Sequence, residues 1–440
     1  MCKRLLFILL LLPTLALAQV HQYWLKNGLR LIVKEDNRAP VVITQIWYRV
    51  GARYEPEGST GISHALEHMM FRGSKRYGSG VLERIVAING GVQNAVTDYD
   101  FTMYYEKFSA DKWPISFALE ADRMHNLLLR KQDFERELQV VMEERRMRID
   151  DDPQQRTLEQ LNAIAFITSP YRRPVIGWQH DLQQMRIADL RAWYRQWYVP
   201  NNAIVVVVGA VKAEQVHRLA QKYFGPIKAR TLPILKPQQE ISALGERQIH
   251  VRVPAKLPSV FVAYTVPVLA SDPNSSDPYA LELIAQLLSG GKRARFATDL
   301  IRNQQVASTA FVSYDPDTRL PSLFLLVGIP ASKRTIDELK RDLLLEIKQL
   351  KTQQVDQKEL TRIKTQLIAY KLYQQDTISE QASELGRLSV LGLPLTLDQI
   401  YAQRIEQISA QQIQAVARRY FTEENRTVAY LDPWTGTDAH

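Results

Sequence analysis

The chain has one cysteine among its 440 residues, Cys2. A single thiol can build neither a disulfide framework nor a thiolate zinc site, so any metal must be held by His and carboxylate groups. No apolar run reaches the roughly 20 residues that a helical bilayer span needs, and the run Leu5 to Leu17 falls well short. Glycine and proline, at 19 and 21, are too sparse for a collagen-like or low-complexity chain. Lys and Arg exceed Asp and Glu by nine. The bases are interspersed with acids, as in Glu143-Glu144-Arg145-Arg146, which reads as solvated helix surface, and no basic face interleaved with aromatic residues presents itself. Nucleic acid is therefore not an expected partner. What remains is a chain of ordinary hydrophobic content, long enough for about two or three domains.

Lys3 and Arg4 precede the apolar run, and the small-residue site Ala16-Leu17-Ala18 precedes Gln19. This is the pattern of a Sec-type signal peptide over residues 1–18, cut after Ala18. The mature chain would be periplasmic or secreted, without a stable membrane span and without any thiol, as suits an oxidising compartment. Losing Lys3 and Arg4 takes the formal charge from +9 to +7.

Alternation over Leu29 to Lys34 and Val41 to Tyr48, with a turn at Asp36-Asn37-Arg38, predicts two strands paired with each other. Helical periodicity follows over Ile62 to Phe71, Val81 to Ile88, Trp113 to Leu129 and Gln132 to Arg148, and Ala203 to Val208 reads as a further strand. Sheet and long helices together indicate an α+β layered domain. The best linker is 229–246, where Pro233, Pro237 and Gly245 break the pattern, separating an N-terminal domain, 19–228, from a C-terminal one, 247–440. Beyond it the opening order returns: Ile249 to Val253, Ser259 to Tyr264, then a helix from Tyr279 to Leu288. In this internal duplication Ala65-Leu66-Glu67 falls on Ala280-Leu281-Glu282, while Tyr279 and Leu283 stand where the first half has His64 and His68. Whatever those histidines do, only the first half does it.

The one strong local motif is His64-Ala65-Leu66-Glu67-His68. On a helix, residues four apart share a face, so both imidazoles can converge on one zinc ion while Glu67, between them, reaches a water on that metal. With eight histidines in the chain, composition alone produces this pattern on the order of once per hundred such sequences. Catalytic zinc normally keeps three protein ligands. Glu137 and Glu144 lie seven apart, two turns along one helix face, and Glu143 and Glu135 lie off it. Glu144 is our choice as third ligand, with Glu137 orienting a ligand histidine. His125, His180 and His217 are alternative donors that spacing does not separate.

His64-x-x-Glu-His68 followed 76 positions on by Glu144 resembles the inverted-motif zinc peptidases of the pitrilysin, insulinase and mitochondrial processing peptidase family. The resemblance includes Gly61, Met70-Phe71-Arg72-Gly73, Gly91 through Asn94-Ala95-Val96-Thr97 to Thr102 and Tyr104-Tyr105, and Phe134 to Glu137 leading into Val140 to Glu144. Pro170-Tyr171, Ile176-Gly177, Tyr198-x-Pro200-Asn201-Asn202 and Val208-Gly209 belong to it too, so it covers essentially the mature chain, most specifically its first half.

The resemblance implies two homologous α/β-sandwich domains that form one clam-like half, with one zinc ion in the first and none in the second. It implies hydrolysis of peptides or unfolded polypeptides, with Glu67 as the base and substrate laid as an added strand beside Asn94 and Ala95. Asn94 on its own would read as a turn or strand-end residue. Family members usually add an Arg and a Tyr seven apart in the second domain. Arg302 fits the Arg, but the Tyr position falls on Thr309, or on Ser308 if one residue is dropped. Two-domain members often work in pairs, so the expected partner is a homologous subunit that supplies the Arg and Tyr, or a second copy of this chain. The alternative is a non-catalytic member that binds peptides or scaffolds an assembly.

Overall fold

The computed structural model describes residues 20–236 and 238–434; the expected signal peptide, Cys2 included, lies outside them. Strands β1 (Val20–Trp24), β2 (Arg30–Glu35), β3 (Val41–Tyr48), β4 (Val92–Thr97), β5 (Thr102–Ser109) and β6 (Ala203–Gly209) form the first sheet, in the order β1-β2-β6-β3-β5-β4. The expected pairing of β2 with β3 is thus corrected, because β6 runs between them, parallel to β2 and antiparallel to β3. The reason lies in β6 itself. Its residues are all buried, so it belongs in the middle of a covered sheet and needs a neighbour on each side. β4 pairs only with β5 and is the free edge.

The second sheet holds β7 (Arg247–Val253), β8 (Ser259–Val266), β9 (Ala307–Ser313), β10 (Ser322–Pro330) and β11 (Arg426–Pro433), in the order β7-β11-β8-β10-β9. Its central pairings repeat those of the first sheet, β7 parallel to β11 and β11 antiparallel to β8. The duplication expected from the sequence is present in the topology. Residues 228–236 and 238–246 carry no helix or strand.

Alternation along the strands gives each sheet two buried faces. Leu31, Val33, Ile46, Val205 and Val207 pack with Leu66, Met69 and Phe117 of the first half's own helices. The opposite face, with Ile32, Ile43, Trp47, Val206 and Val208, joins the core of the second half. There the helix Ile378–Leu391 lies on β3 and β6, and Gly386 sits so close to the Trp47 indole that a Cβ on it would fall 2.2 Å from a ring atom. In return the helix Pro153–Ala165 of the first half packs on β7, β8 and β11, with Leu161 among Val251, Phe261 and Ala429. Each sheet is therefore roofed by a helix from the other half. No helix among the described residues is long and apolar enough to cross a membrane.

Candidate metal centre

The motif stands on the helix Ile62–Met69, whose apolar face buries Ile62, Ala65, Leu66 and Met69. The helix starts at Gly61, at φ +84°, where a Cβ would meet the Ile176 carbonyl at 2.5 Å, so a side chain is excluded by both backbone and space. Its first N–H groups are taken up by Glu55: Gly61 N–H donates to Oε2 at 2.7 Å and Ser63 N–H to Oε1 at 2.8 Å. Burial pushes the Glu55 carboxyl up to about 7 in spite of these bonds.

The second contributor is the helix Lys131–Arg145, which gives way to a π-helical turn at Arg146–Asp150, three residues before the end expected from the sequence. Arg145 is buried and donates to both oxygens of Glu159, at 2.7 and 3.0 Å, and to the Gly177 carbonyl. The reading of 143–146 as solvated surface is thus corrected. Glu143 and Arg146 are exposed and pair with each other, whereas Glu144 and Arg145 face inward.

The two helices bring His64, His68 and Glu144 together, each offering one ligand atom within 4.8 Å of the others. Nε2 of His68 lies 3.3 Å from Glu144 Oε2, and Nε2 of His64 lies 3.7 Å from it. The His68 Nδ1 is 3.5 Å from Glu137 Oε2, and the other oxygen of Glu137 meets Arg72 Nε at 2.8 Å. His64 Nδ1 is buried without a hydrogen-bond partner. Burial, reinforced by neighbouring His68, lowers the His64 pKa to about 4, so its imidazole is neutral at neutral pH. Burial also opposes charge on His68, but the carboxylates of Glu144, Glu67 and Glu137 together outweigh it and raise its pKa; the contact with His68 in turn depresses Glu144. Two imidazoles and a carboxylate, with no sulfur, fit a zinc ion of the two-His, one-Glu type.

Glu67 is not part of that group. Its carboxyl is pushed upward chiefly by burial, and the Thr97 hydroxyl, which donates to Oε2, works the other way. Thr97 closes β4, the free edge strand, on which Asn94 is exposed and Ala95 buried. The Ala95 N–H donates to the Asn94 side chain at 2.9 Å. A cavity of about 370 Å³ opens at the centre, lined by His64, Glu144, Thr97, Tyr99, Arg148 and Leu158 among others.

Other candidates lie elsewhere. Arg302 is exposed on the helical segment Phe296–Asn303, Thr309 is exposed on β9, and Ser308 donates to the Ile329 carbonyl; none of them lines the cavity at the centre. His217 stacks on Tyr23, and His125 lines a separate cavity with Tyr194 and Arg230. His125, His180 and His217 do not join the donor group. Spacing singled out neither Glu55, which sits in the irregular stretch six and eight residues before the N–H groups it caps, nor Thr97, which reaches Glu67 from 30 residues away.

A family model described as Insulinase (Peptidase family M16) matches residues 30–178, and one described as Peptidase M16 inactive domain matches 184–367. A curated relative is the zinc protease PqqE of Helicobacter pylori, 30% identical over 424 residues, covering 93% of this chain and 92% of that protein. The probable mitochondrial-processing peptidase subunit beta of Arabidopsis thaliana is 25% identical over 421 residues, covering 93% of this chain and 77% of that protein. Among solved structures, a protease from Helicobacter pylori superposes with a TM-score of 0.89 at 29% identity, over 95% of this chain and all of that one.

Proposed function

The chain belongs to the insulinase family, peptidase family M16, and on that premise we propose that it is an exported zinc metallopeptidase that hydrolyses peptides or unfolded polypeptides. One observation carries this reading: His64, His68 and Glu144 offer three donor atoms within 4.8 Å of one another, with Glu67 on the short helix that carries the two histidines but outside the group. His64, His68 and Glu144 would hold one zinc ion, with Glu137 fixing the His68 ring through Nδ1. When bound, zinc supplies Lewis acidity that polarises a carbonyl and lowers the pKa of water.

Glu67 takes a proton from water as its oxygen attacks the scissile carbonyl, and delivers that proton to the amide nitrogen as the C–N bond breaks. The substrate lies extended along the open edge of β4 at Asn94 and Ala95, where main-chain pairing tolerates varied sequence but demands an unfolded segment. Export rests on the segment from Lys3 to Ala18. Thr309 stands where a phenol is expected, so Arg302 alone would bind substrate weakly, and a homologous subunit that brings an intact Arg and Tyr, or a second copy, completes the site.

A non-catalytic, peptide-binding or scaffolding role is favoured by two observations, the Thr at 309 and the inactive-domain description matched over 184–367. The intact donor set and Glu67 weigh against it. The deciding experiment follows hydrolysis of an internally quenched, unstructured peptide by wild type and Glu67→Gln, with zinc quantified in both. Equal zinc and a rate loss of roughly 10²-fold or more in the variant are expected. Unchanged hydrolysis in Glu67→Gln overturns the base. Zinc in both with hydrolysis in neither moves the assignment to a binding role or to a paired enzyme.

A further inference from the structure

Glu67 immediately precedes His68 in the chain, on the helix that also carries His64. A carboxylate there, one residue from a ligand, is itself a competent zinc ligand by chemistry. Yet its oxygens do not belong to the group formed by His64, His68 and Glu144. What differs at Glu67 is a partner from outside the helix: Thr97, 30 residues away, whose hydroxyl donates a short hydrogen bond to Oε2. No other side-chain hydrogen bond reaches the Glu67 carboxyl among the described residues.

We propose that Thr97 is the positioning residue that keeps Glu67 off the metal and holds it as a base. Three features of its place suit it for this. It ends β4, where alternation puts it on the same face as buried Ala95 and Gln93, the side on which the helix Ile62–Met69 packs. It is pinned by the register with Thr102 on β5, whose own hydroxyl donates to the Val50 carbonyl at 2.9 Å. And it lines the cavity that His64 and Glu144 line, so its hydroxyl stands at the centre rather than behind it. A β-branched side chain in a strand has few rotamers, so the donor is aimed before the metal or substrate arrives. Because Thr97 also belongs to the edge on which an extended peptide would be laid, one strand both receives the substrate and sets the base that acts on it.

The proposal rests on the metallopeptidase reading, and its test separates the two. The full mature chain is loaded with Co2+ in place of zinc and its visible absorption compared among wild type, Thr97→Val and Thr97→Ser, with kcat and KM measured on the zinc forms. Thr97→Val keeps the shape and loses the donor. It is expected to change the intensity and position of the cobalt bands as the freed Glu67 enters the coordination sphere, and to lower kcat about tenfold or more with KM nearly unchanged. Thr97→Ser is expected to keep the wild-type spectrum and most of kcat. Adding Glu67→Gln to Thr97→Val should restore the wild-type spectrum. Identical cobalt spectra in wild type and Thr97→Val overturn the positioning role, as does an equal loss in Thr97→Ser and Thr97→Val. A wild-type chain that takes up no cobalt overturns the metal assignment instead.

Discussion

The backbone N–H of Arg319 donates to Asp100 Oδ2 at 3.0 Å, tying the loop before β10 to the turn between β4 and β5 across 219 residues of chain. The same carboxylate accepts from Arg53 Nε at 2.8 Å and from the Tyr171 hydroxyl, and Tyr171 in turn accepts from the N–H of Arg319 and of Leu320 at 3.1 Å. One buried acid thus joins the two halves from the turn that follows the strand ending in Thr97. Asp100→Ala takes the acceptor away from the Arg53 guanidinium and the Tyr171 hydroxyl at once and leaves the Arg319 N–H with Tyr171 alone. It should lower the unfolding free energy by about 3 kcal/mol, measured by urea denaturation. Asp100→Asn, which keeps acceptor oxygen, should lose clearly less; equal losses in the two would mean the charge, and not the acceptor, matters.

At the metal centre, His68→Ala should abolish stoichiometric zinc after dialysis, by atomic emission, since it removes one of three donors. Glu137→Gln removes the carboxylate that faces His68 Nδ1 and should weaken zinc about 10–100-fold without abolishing it. Full zinc retention in His68→Ala would show that the ligand set is wrong.

The second half carries a half-buried acid at the position that matches Glu67. Glu282 Oε1 accepts from the Tyr401 hydroxyl at 3.1 Å, and Oε2 is shut off from water without a partner. Burial, with Asp317 nearby adding to it, pushes the Glu282 carboxyl up from 4.5 to about 8. A folded-state pKa raised above the unfolded one contributes stability that is complete below pH 4.5 and is lost as pH rises through about 8. Stability should therefore fall by up to about 1.4 kcal/mol per pH unit across that window, and Glu282→Gln should flatten the slope. A variant with the wild-type slope would remove Glu282 as its source.

Gly386→Ala drives a methyl group into the indole of Trp47, which is 1% exposed and cannot retreat. A loss of about 1–3 kcal/mol is expected. Trp47→Phe in the same background should recover part of it, read as a positive coupling in a double-mutant cycle; strict additivity would mean the helix shifts as a body instead.

What could be read without coordinates was local. The spacing in His64-x-x-Glu-His68 fixes two donors on one helix face, and the seven-residue step from Glu137 to Glu144 fixes which acids share the other, because helical periodicity is a property of neighbours in the chain. Sheet order was not local. β2 and β3 follow each other and alternate alike, yet β6, some 170 residues later by position, wins the place between them through its two buried faces. The bond from Thr97 to Glu67 stayed hidden for the same reason, since a side-chain hydrogen bond over 30 residues leaves no periodic mark, and Glu55, though only six to eight residues from the N–H groups it caps, lies in a loop with no period to read. The duplication was legible because it preserved element order, but the exchange of roofing helices was not, as the amphipathic pattern of Ile378–Leu391 says that it has an apolar face and not whose sheet receives it.

That exchange makes the stretch from 228 to 246 nearly redundant as a tether. Ile234 and Leu244 there are almost fully exposed, which offers a protease its easiest cut. A molecule nicked at that point would migrate as two bands on a denaturing gel and as one particle on a sizing column, because each fragment has left a helix inside the other's roof. By the same token, the two halves made as separate polypeptides would each be born with an uncovered sheet, and would be soluble only in each other's company.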